Sequence, residues 1–242
     1  VDRGCQQLKG ENFVNDGKQL VYHEQENGKR IQWHTLSVPR GGEYKLVLAD
    51  GTRVWLNAAS ELMYPDHFSA DQRKVVLKGE AYFEVTKDVK RPFSVVLGDM
   101  EVKVLGTSFN VSAYPGVKRQ TTLIEGQVAV NWHRQQVVIR PGQQAAETDE
   151  GLRVASVNVM NYVGWKEHRF VYENKLLGEV LEDLERWYDV SFFFTGESLK
   201  IKRFSGSIPK YSDLSKVLKM LELTTNIRFK KTDKTVVVEM IQ

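Results

Sequence analysis

The chain has 242 residues, 41% hydrophobic and 27% charged, enough to bury one large or two ordinary cores and to exclude a mainly disordered chain. Lys and Arg number 34 against 31 Asp and Glu, and a net charge of +3 argues against a polyelectrolyte partner such as nucleic acid. Apolar runs such as Val75-Val76-Leu77 are far shorter than the about 20 residues of a membrane span, and the single cysteine, Cys5, excludes an internal disulfide or a Cys-based metal site.

The first residue is Val1 rather than Met, which reads as a piece of a longer or processed chain. Residues 1–35 form a polar lead-in. Weak strand signals in Gln19-Leu20-Val21-Tyr22 and Ile31-Gln32-Trp33, broken by Gly10, Gly17 and Gly28, leave room for an edge strand.

Residues 36–163 read as an all-β domain, a sandwich or irregular stack of many short strands. Apolar and polar residues alternate in Tyr44-Lys45-Leu46-Val47-Leu48, Arg73-Lys74-Val75-Val76-Leu77, Phe93-Ser94-Val95, Val102-Lys103-Val104, Phe109-Asn110-Val111 and Val128-Ala129-Val130-Asn131-Trp132. That period of 2 suits half-buried strands, whose successive side chains point to opposite faces. Turn residues separate the runs at Asp50-Gly51, Lys78-Gly79, Gly98-Asp99, Pro115-Gly116, Glu125-Gly126 and Pro141-Gly142. Asp50-Gly51 between two apolar runs predicts a hairpin with a type I′ turn, which needs positive φ at both centres. One helical turn is expected near Ser69-Ala70-Asp71-Gln72.

Residues 164–242 read as a small α/β domain. Leu177, Val180, Leu181, Leu184, Trp187 and Tyr188 share one helical face behind a cap at Asn174, and the strand Val190–Phe194 follows. Leu214, Val217, Leu218 and Leu221 repeat that spacing behind a cap at Ser212, followed by strands at Ile227-Arg228-Phe229 and Thr235–Met240. The two stretches align at an offset of 37 residues, and each helix is preceded by a strand-like run, Phe170-Val171-Tyr172 and Phe204–Ile208. Two strand–helix–strand units, neither able to bury its apolar faces alone, are the physical reading.

No constellation for chemistry stands out. The histidines His23, His34, His67, His133 and His168 are scattered without metal-ligand spacing, so no metal or cofactor is expected. There is no nucleophile elbow and no phosphate loop. Glu80, Glu84, Asp88, Asp99 and Glu125 are the candidate carboxylates for a glycosidase, but they sit at strand ends and turns, where solvated acids are ordinary. The basic clusters Lys200-Ile201-Lys202-Arg203 and Lys230-Lys231 are balanced by acids in the same domain. Asn110-Val111-Ser112 fits the glycosylation sequon but lies in a buried-looking strand. The residues alone describe a two-domain protein that binds rather than catalyses.

The stretches Val38-Pro39-Arg40-Gly41-Gly42-Glu43-Tyr44, Leu48-Ala49-Asp50-Gly51-Thr52-Arg53-Val54-Trp55-Leu56-Asn57-Ala58, Gly79-Glu80-Ala81-Tyr82-Phe83-Glu84-Val85, Arg91-Pro92-Phe93, Val104-Leu105-Gly106-Thr107-Ser108-Phe109-Asn110-Val111 and Pro141-Gly142-Gln143, in this order, resemble the periplasmic part of FecR-type anti-sigma regulators. The 37-residue repeat resembles the C-terminal domain often attached to that family, itself similar to the short N-terminal domains of secretins and TonB-dependent transducers. The resemblance implies the periplasmic region of an inner-membrane, single-pass protein whose cytoplasmic part holds an extracytoplasmic-function sigma factor. Neither that part nor the span is in this sequence. This region would sense the signalling domain of a TonB-dependent outer-membrane transducer by protein–protein contact and catalyse nothing. Trp55, Tyr82, Phe83, Phe93 and Phe109 then read as core fillers.

An edge strand of the C-terminal domain is the expected contact, through backbone pairing. Phe204, Ser205, Gly206, Ser207 and Ile208 are the candidate residues, because Gly206 is an odd choice inside a covered central strand. The same run also fits an ordinary interior strand. The alternative function is a periplasmic carbohydrate-binding β domain, with Trp33, Trp132 or Trp165 as the stacking surface.

Overall fold

The computed structural model describes Leu8–Lys9, Phe13–Asn15, Gln19–Tyr22 and residues 30–241. Cys5, His23 and the expected breaks at Gly10, Gly17 and Gly28 lie outside the described residues. The protein is mostly β, a large multi-strand unit followed by a small α/β unit. Unit 1 comprises Val1–Pro39 and Glu43–Val159, and unit 2 comprises Arg40–Gly42 and Met160–Gln242.

Unit 1 runs β1 (Leu8–Lys9), β2 (Phe13–Asn15), β3 (Gln19–Tyr22), β4 (Trp33–Val38), β5 (Tyr44–Val47), β6 (Arg53–Leu56), β7 (Ser60–Pro65), β8 (Arg73–Glu84), β9 (Phe93–Leu97), β10 (Met100–Val104), β11 (Ser108–Ala113), β12 (Gln120–Glu125), β13 (Val128–Trp132), β14 (Gln135–Ile139), β15 (Gln143–Thr148) and β16 (Gly151–Ser156). One layer is ordered β1-β2-β3-β5-β6-β8-β11-β12-β15-β16, and the other β4-β7-β8-β9-β10-β13-β14. The long strand β8 belongs to both. Its first half pairs with β7 and β9, its second half with β6 and β11. The turn from one layer to the other falls at Gly79, at φ 94°, where a Cβ would meet the Ser60 side chain at 2.5 Å.

Period-2 alternation delivers one core from both layers. Leu46, Val54, Leu56, Phe83, Phe109 and Leu123 from the first meet Leu62, Val75, Leu77, Phe93 and Val130 from the second, all essentially inaccessible. Phe83 stacks on Phe109 with centroids 5.2 Å apart. Trp55 and Tyr82 do not join this core. They lie on the opposite face of their layer, ring against ring at 5.7 Å, with the Lys45 ammonium 5.0 Å above Trp55.

The Asp50-Gly51 hairpin forms between β5 and β6, but its turn is not type I′. Gly51 N–H donates to the Leu48 carbonyl at 2.9 Å and only Gly51 has positive φ, 81°. Asp50 instead turns its carboxylate back onto Thr52 N–H at 3.0 Å and Thr52 Oγ at 2.8 Å, an arrangement that a mirror-image turn does not require. The expected helical turn at Ser69–Gln72 is a bend, closed by Ser69 Oγ donating to the Gln72 carbonyl.

Unit 2 opens with α1 (Met160–Val163) and a 3₁₀ turn at Gly164–Glu167. It continues through β17 (Arg169–Leu176), α2 (Leu177–Tyr188), β18 (Ser191–Phe194), β19 (Arg203–Pro209), α3 (Leu214–Thr224), β20 (Ile227–Thr232) and β21 (Thr235–Met240). The two strands that lead the repeats, β17 and β19, pair with each other; the two that trail them, β18 and β20, flank β21. Leu177, Val180, Leu181 and Leu184 of α2, and Leu214, Val217, Leu218 and Leu221 of α3, are the buried helix faces, so each helical spacing marks real packing. Both expected caps are displaced. Asn174 sits inside β17 at φ 52°, in a bulge opposite β19, and α2 starts after Leu176 without a side-chain cap. The α3 cap is Asp213, whose carboxylate accepts from Ser215 N–H at 2.8 Å, not Ser212.

Candidate interaction edge

Phe204–Ile208 lies within β19, which pairs with β17 alone among the described residues. Ladder parity tells which backbone groups are free. Lys210 N–H donates to the His168 carbonyl at 2.9 Å, so the residues of β19 in step with Lys210 face β17. In an antiparallel ladder facing and outward residues alternate. Ile208 and Gly206 therefore spend their backbone groups on Phe170 and Tyr172, while Ser205 and Ser207 turn theirs away from β17. Side chains divide on the other axis. Phe204 and Ile208 are buried, Ser205 is exposed and Ser207 half-buried.

Gly206 has a reason other than an open edge. A Cβ there would lie 2.8 Å from the Phe204 ring, which folds over the glycine and meets Tyr172 edge-on at 6.0 Å. The glycine makes room for an aromatic pair; the edge is carried by Ser205 and Ser207.

Each of the other strand edges of unit 2 carries a contact within the unit. A Cβ on Gly164 would sit 2.9 Å from the Arg169 carbonyl oxygen, so the 3₁₀ turn passes directly against the outer side of β17. Phe192 N–H of β18 donates to Glu185 at 2.6 Å, and Phe229 N–H of β20 donates to Glu222 at 2.9 Å. Neither glutamate stood out in the sequence, although the 37-residue offset aligns them.

The segment after β19 is held firmly. Lys210 is fully buried, with its ammonium 4.1 Å from the Trp187 ring and 5.1 Å from Trp165. Trp187 Nε1 donates to the Lys210 carbonyl at 2.5 Å, and Tyr188 Oη donates to the Ser212 carbonyl at 2.8 Å. Burial and the nearby Asp213 carboxylate push the Tyr188 hydroxyl up to about 12. Nothing in the sequence marked Lys210, since a lysine in a loop ordinarily lies in solvent.

In unit 1 four of the five candidate carboxylates, Glu80, Glu84, Asp88 and Asp99, are committed to other partners. Glu80 accepts from Asn57 at 2.8 Å and from Asn110 at 2.9 Å, which also buries the sequon asparagine. Glu84 pairs with Arg53 at 2.6 Å and Asp88 with Arg91 at 2.8 Å. Asp99 takes Arg119 at 2.5 Å and Trp132 Nε1 at 3.0 Å, contacts that hold its carboxyl down at about 2. Glu125 is exposed on the wall of an open depression of about 660 Å³ that Arg53 and Glu84 also line. Among the described residues no group of three His, Cys, Asp or Glu could hold a metal ion, and no helix is long and apolar enough to cross a membrane. Of the three stacking tryptophans, Trp165 is buried, Trp132 is covered by the Arg119 guanidinium at 5.3 Å, and Trp33 is 49% exposed.

The model of the FecR protein family matches residues 34–129, the greater part of the sandwich, and the model of the FecR C-terminal domain matches residues 169–238, the two repeats. The chain belongs to the FecR family. Two crystal structures of a protein from Parabacteroides distasonis ATCC 8503, provisionally described as an anti-sigma factor, are similar to it at 28% identity. They superpose with TM-scores of 0.81 over 86% and 87% of this chain and 100% of theirs. No curated protein matches. Family and solved relatives together give the chain a regulatory, anti-sigma character, and the two family matches do not overlap in sequence.

Proposed function

We propose that this chain is the periplasmic sensor region of a membrane-anchored FecR-type anti-sigma factor. It relays a signal from the signalling domain of a TonB-dependent outer-membrane transducer to an extracytoplasmic-function sigma factor, and it does so by contact, without catalysis. The observation that carries the contact is β19, a strand paired on one side only, with the backbone groups of Ser205 and Ser207 turned outward. A related small α/β domain of the transducer can add one strand there, main-chain bonds supplying adhesion.

The test is calorimetric titration of the chain with an isolated transducer signalling domain. A transient signalling contact of this kind binds at about micromolar, near −8 kcal/mol. Ser207→Pro removes an outward N–H and the exposed side-chain bond that Ser207 Oγ accepts from Arg169 at 3.0 Å, but no backbone bond to β17, so binding is lost while the melting temperature changes little. Gly206→Pro removes an N–H that faces Tyr172 and crowds the Phe204 ring, so it unfolds unit 2, at a cost of about 3 kcal/mol or more. Undiminished binding by Ser207→Pro would remove β19 from the interface; no heat with any transducer domain would remove the transducer.

A further inference from the structure

Glu185 and Glu222 lie in the last turns of α2 and α3, where the helix dipole favours cations over carboxylates. Both are half-buried, and each sends a carboxylate oxygen sideways to a strand; the second oxygen of Glu222 pairs with Lys219 along its own helix at 3.3 Å. The glutamates are 37 residues apart, and so are the amides they hold, Phe192 and Phe229. The same unfavourable placement with the same contact occurs in both repeats.

Both amides point out of the sheet. Ser191 N–H and Thr195 N–H of β18 and its extension donate to the Lys234 and Val238 carbonyls, so the alternate residues Phe192 and Phe194 face away from β21. On the other side, Ile241 N–H donates to the Asn226 carbonyl, which turns Ile227, Phe229 and Lys231 outward from β20. Each glutamate therefore sits on the outward donor of an edge strand, where an incoming strand would otherwise bond.

We propose that Glu185 and Glu222 are edge guards, which keep the β18-β21-β20 sheet from adding a strand of a second copy of this chain. An unguarded β18 is self-complementary. Two copies pair antiparallel about a twofold axis, and Phe193, 58% exposed beside the guarded amide, supplies apolar contact across it. A carboxylate placed on the donor blocks this in two ways, by occupying the N–H and by bringing two like charges together in the dimer. The guards hold whether or not β19 is the partner edge.

The experiment compares the chain with its Glu185→Ala/Glu222→Ala and Glu185→Gln/Glu222→Gln variants by residue-resolved amide exchange and sedimentation velocity. Glutamine keeps the acceptor oxygen; alanine does not. The expected result at low concentration is about tenfold or more faster exchange at Phe192 and Phe229 in the alanine variant, relative to Val236 and Val238, and near-native exchange with glutamine. At about 100 µM the alanine variant sediments as a dimer while the native and glutamine chains remain single. If the double alanine variant unfolds, each single variant opens one edge and carries the same readout. Unchanged exchange at both amides, an alanine variant that stays single at every concentration, or a native chain that already dimerises through β18 would each overturn the proposal.

Discussion

Arg73 is the place where the sandwich is most exposed to a single substitution. It stands on the core-facing side of β8 with Val75 and Leu77, and no part of it reaches solvent. Its guanidinium donates to Asp50 at 2.8 Å, to the Thr86 carbonyl at 2.8 Å and to the Arg91 carbonyl at 2.9 Å, and it lies 5.5 Å from the Phe93 ring. Asp50, itself almost fully buried, accepts from Thr52 twice. Arg73→Met keeps most of the volume but leaves a buried carboxylate and two carbonyls without their donor. Breaking one partner of such a pair costs about 3–5 kcal/mol. In a unit of this size that is roughly 6–20 °C in melting temperature, out of a total stability of about 5–15 kcal/mol. Adding Asp50→Asn to Arg73→Met removes the stranded charge while Thr52 N–H keeps its acceptor, so the double variant recovers about 1–2 kcal/mol of the loss. Thermal and urea unfolding of the four chains in the cycle measures this. A cost below about 1 kcal/mol for Arg73→Met, with simple additivity in the double variant, would refute the account of the buried Asp50–Thr52–Arg73 network.

Lys210→Met keeps the aliphatic stem between Trp165 and Trp187 but removes the cation, and costs about 2 kcal/mol with a change in tryptophan emission; unchanged emission would show that the ammonium does not sit on the rings. Stability of unit 1 depends on acid through Asp99 and Glu147, whose carboxyls the Arg119 guanidinium holds below their ordinary range. A depressed folded-state value means that the contribution is complete above about pH 5 and is lost as pH falls toward about 2. Asp99→Asn should flatten the melting temperature over that window, and an unaltered slope would place the acid sensitivity elsewhere.

Where the sequence was legible, one periodic signal and one burial pattern coincided. Strands such as β10, whose Met100, Val102 and Val104 are buried between a half-buried Glu101 and an exposed Lys103, could be read directly, as could the two helix faces with four leucine or valine positions each. The signal failed where a polar residue takes a core position. Arg73 begins an alternating run and passes for its solvent side, yet it is buried because Asp50 and two carbonyls, distant in sequence, replace its water. Asn174 carries the composition of a cap, but its tolerance of positive φ is used for a strand bulge instead. The parallel pairings β3–β5, β8–β9 and β18–β21 leave no local trace, since each joins strands separated by connections that say nothing of direction. The candidate edge was read from Gly206, for a reason that belongs to Phe204; the outward groups are those of its neighbours.

The polar groups of the two units differ in what they leave available. In unit 1 Glu80, Glu84, Asp88 and Asp99 are bound to guanidinium groups or amides of the same unit, and Glu80, held by two asparagines from β11 and the β6–β7 turn, is an example of a carboxylate consumed by architecture. A fold that commits its charges in this way is rigid at those points. In unit 2 the same commitment is applied selectively. Glu185, Glu222 and the Gly164 turn each contact one strand edge, and β19 is left with the outward backbone groups of two serines, whose side chains are small. Edge strands are a hazard that proteins cover when they have no use for them. On the proposed reading, contacts on three edges and none on the fourth suit a module that pairs with one partner strand and not with itself.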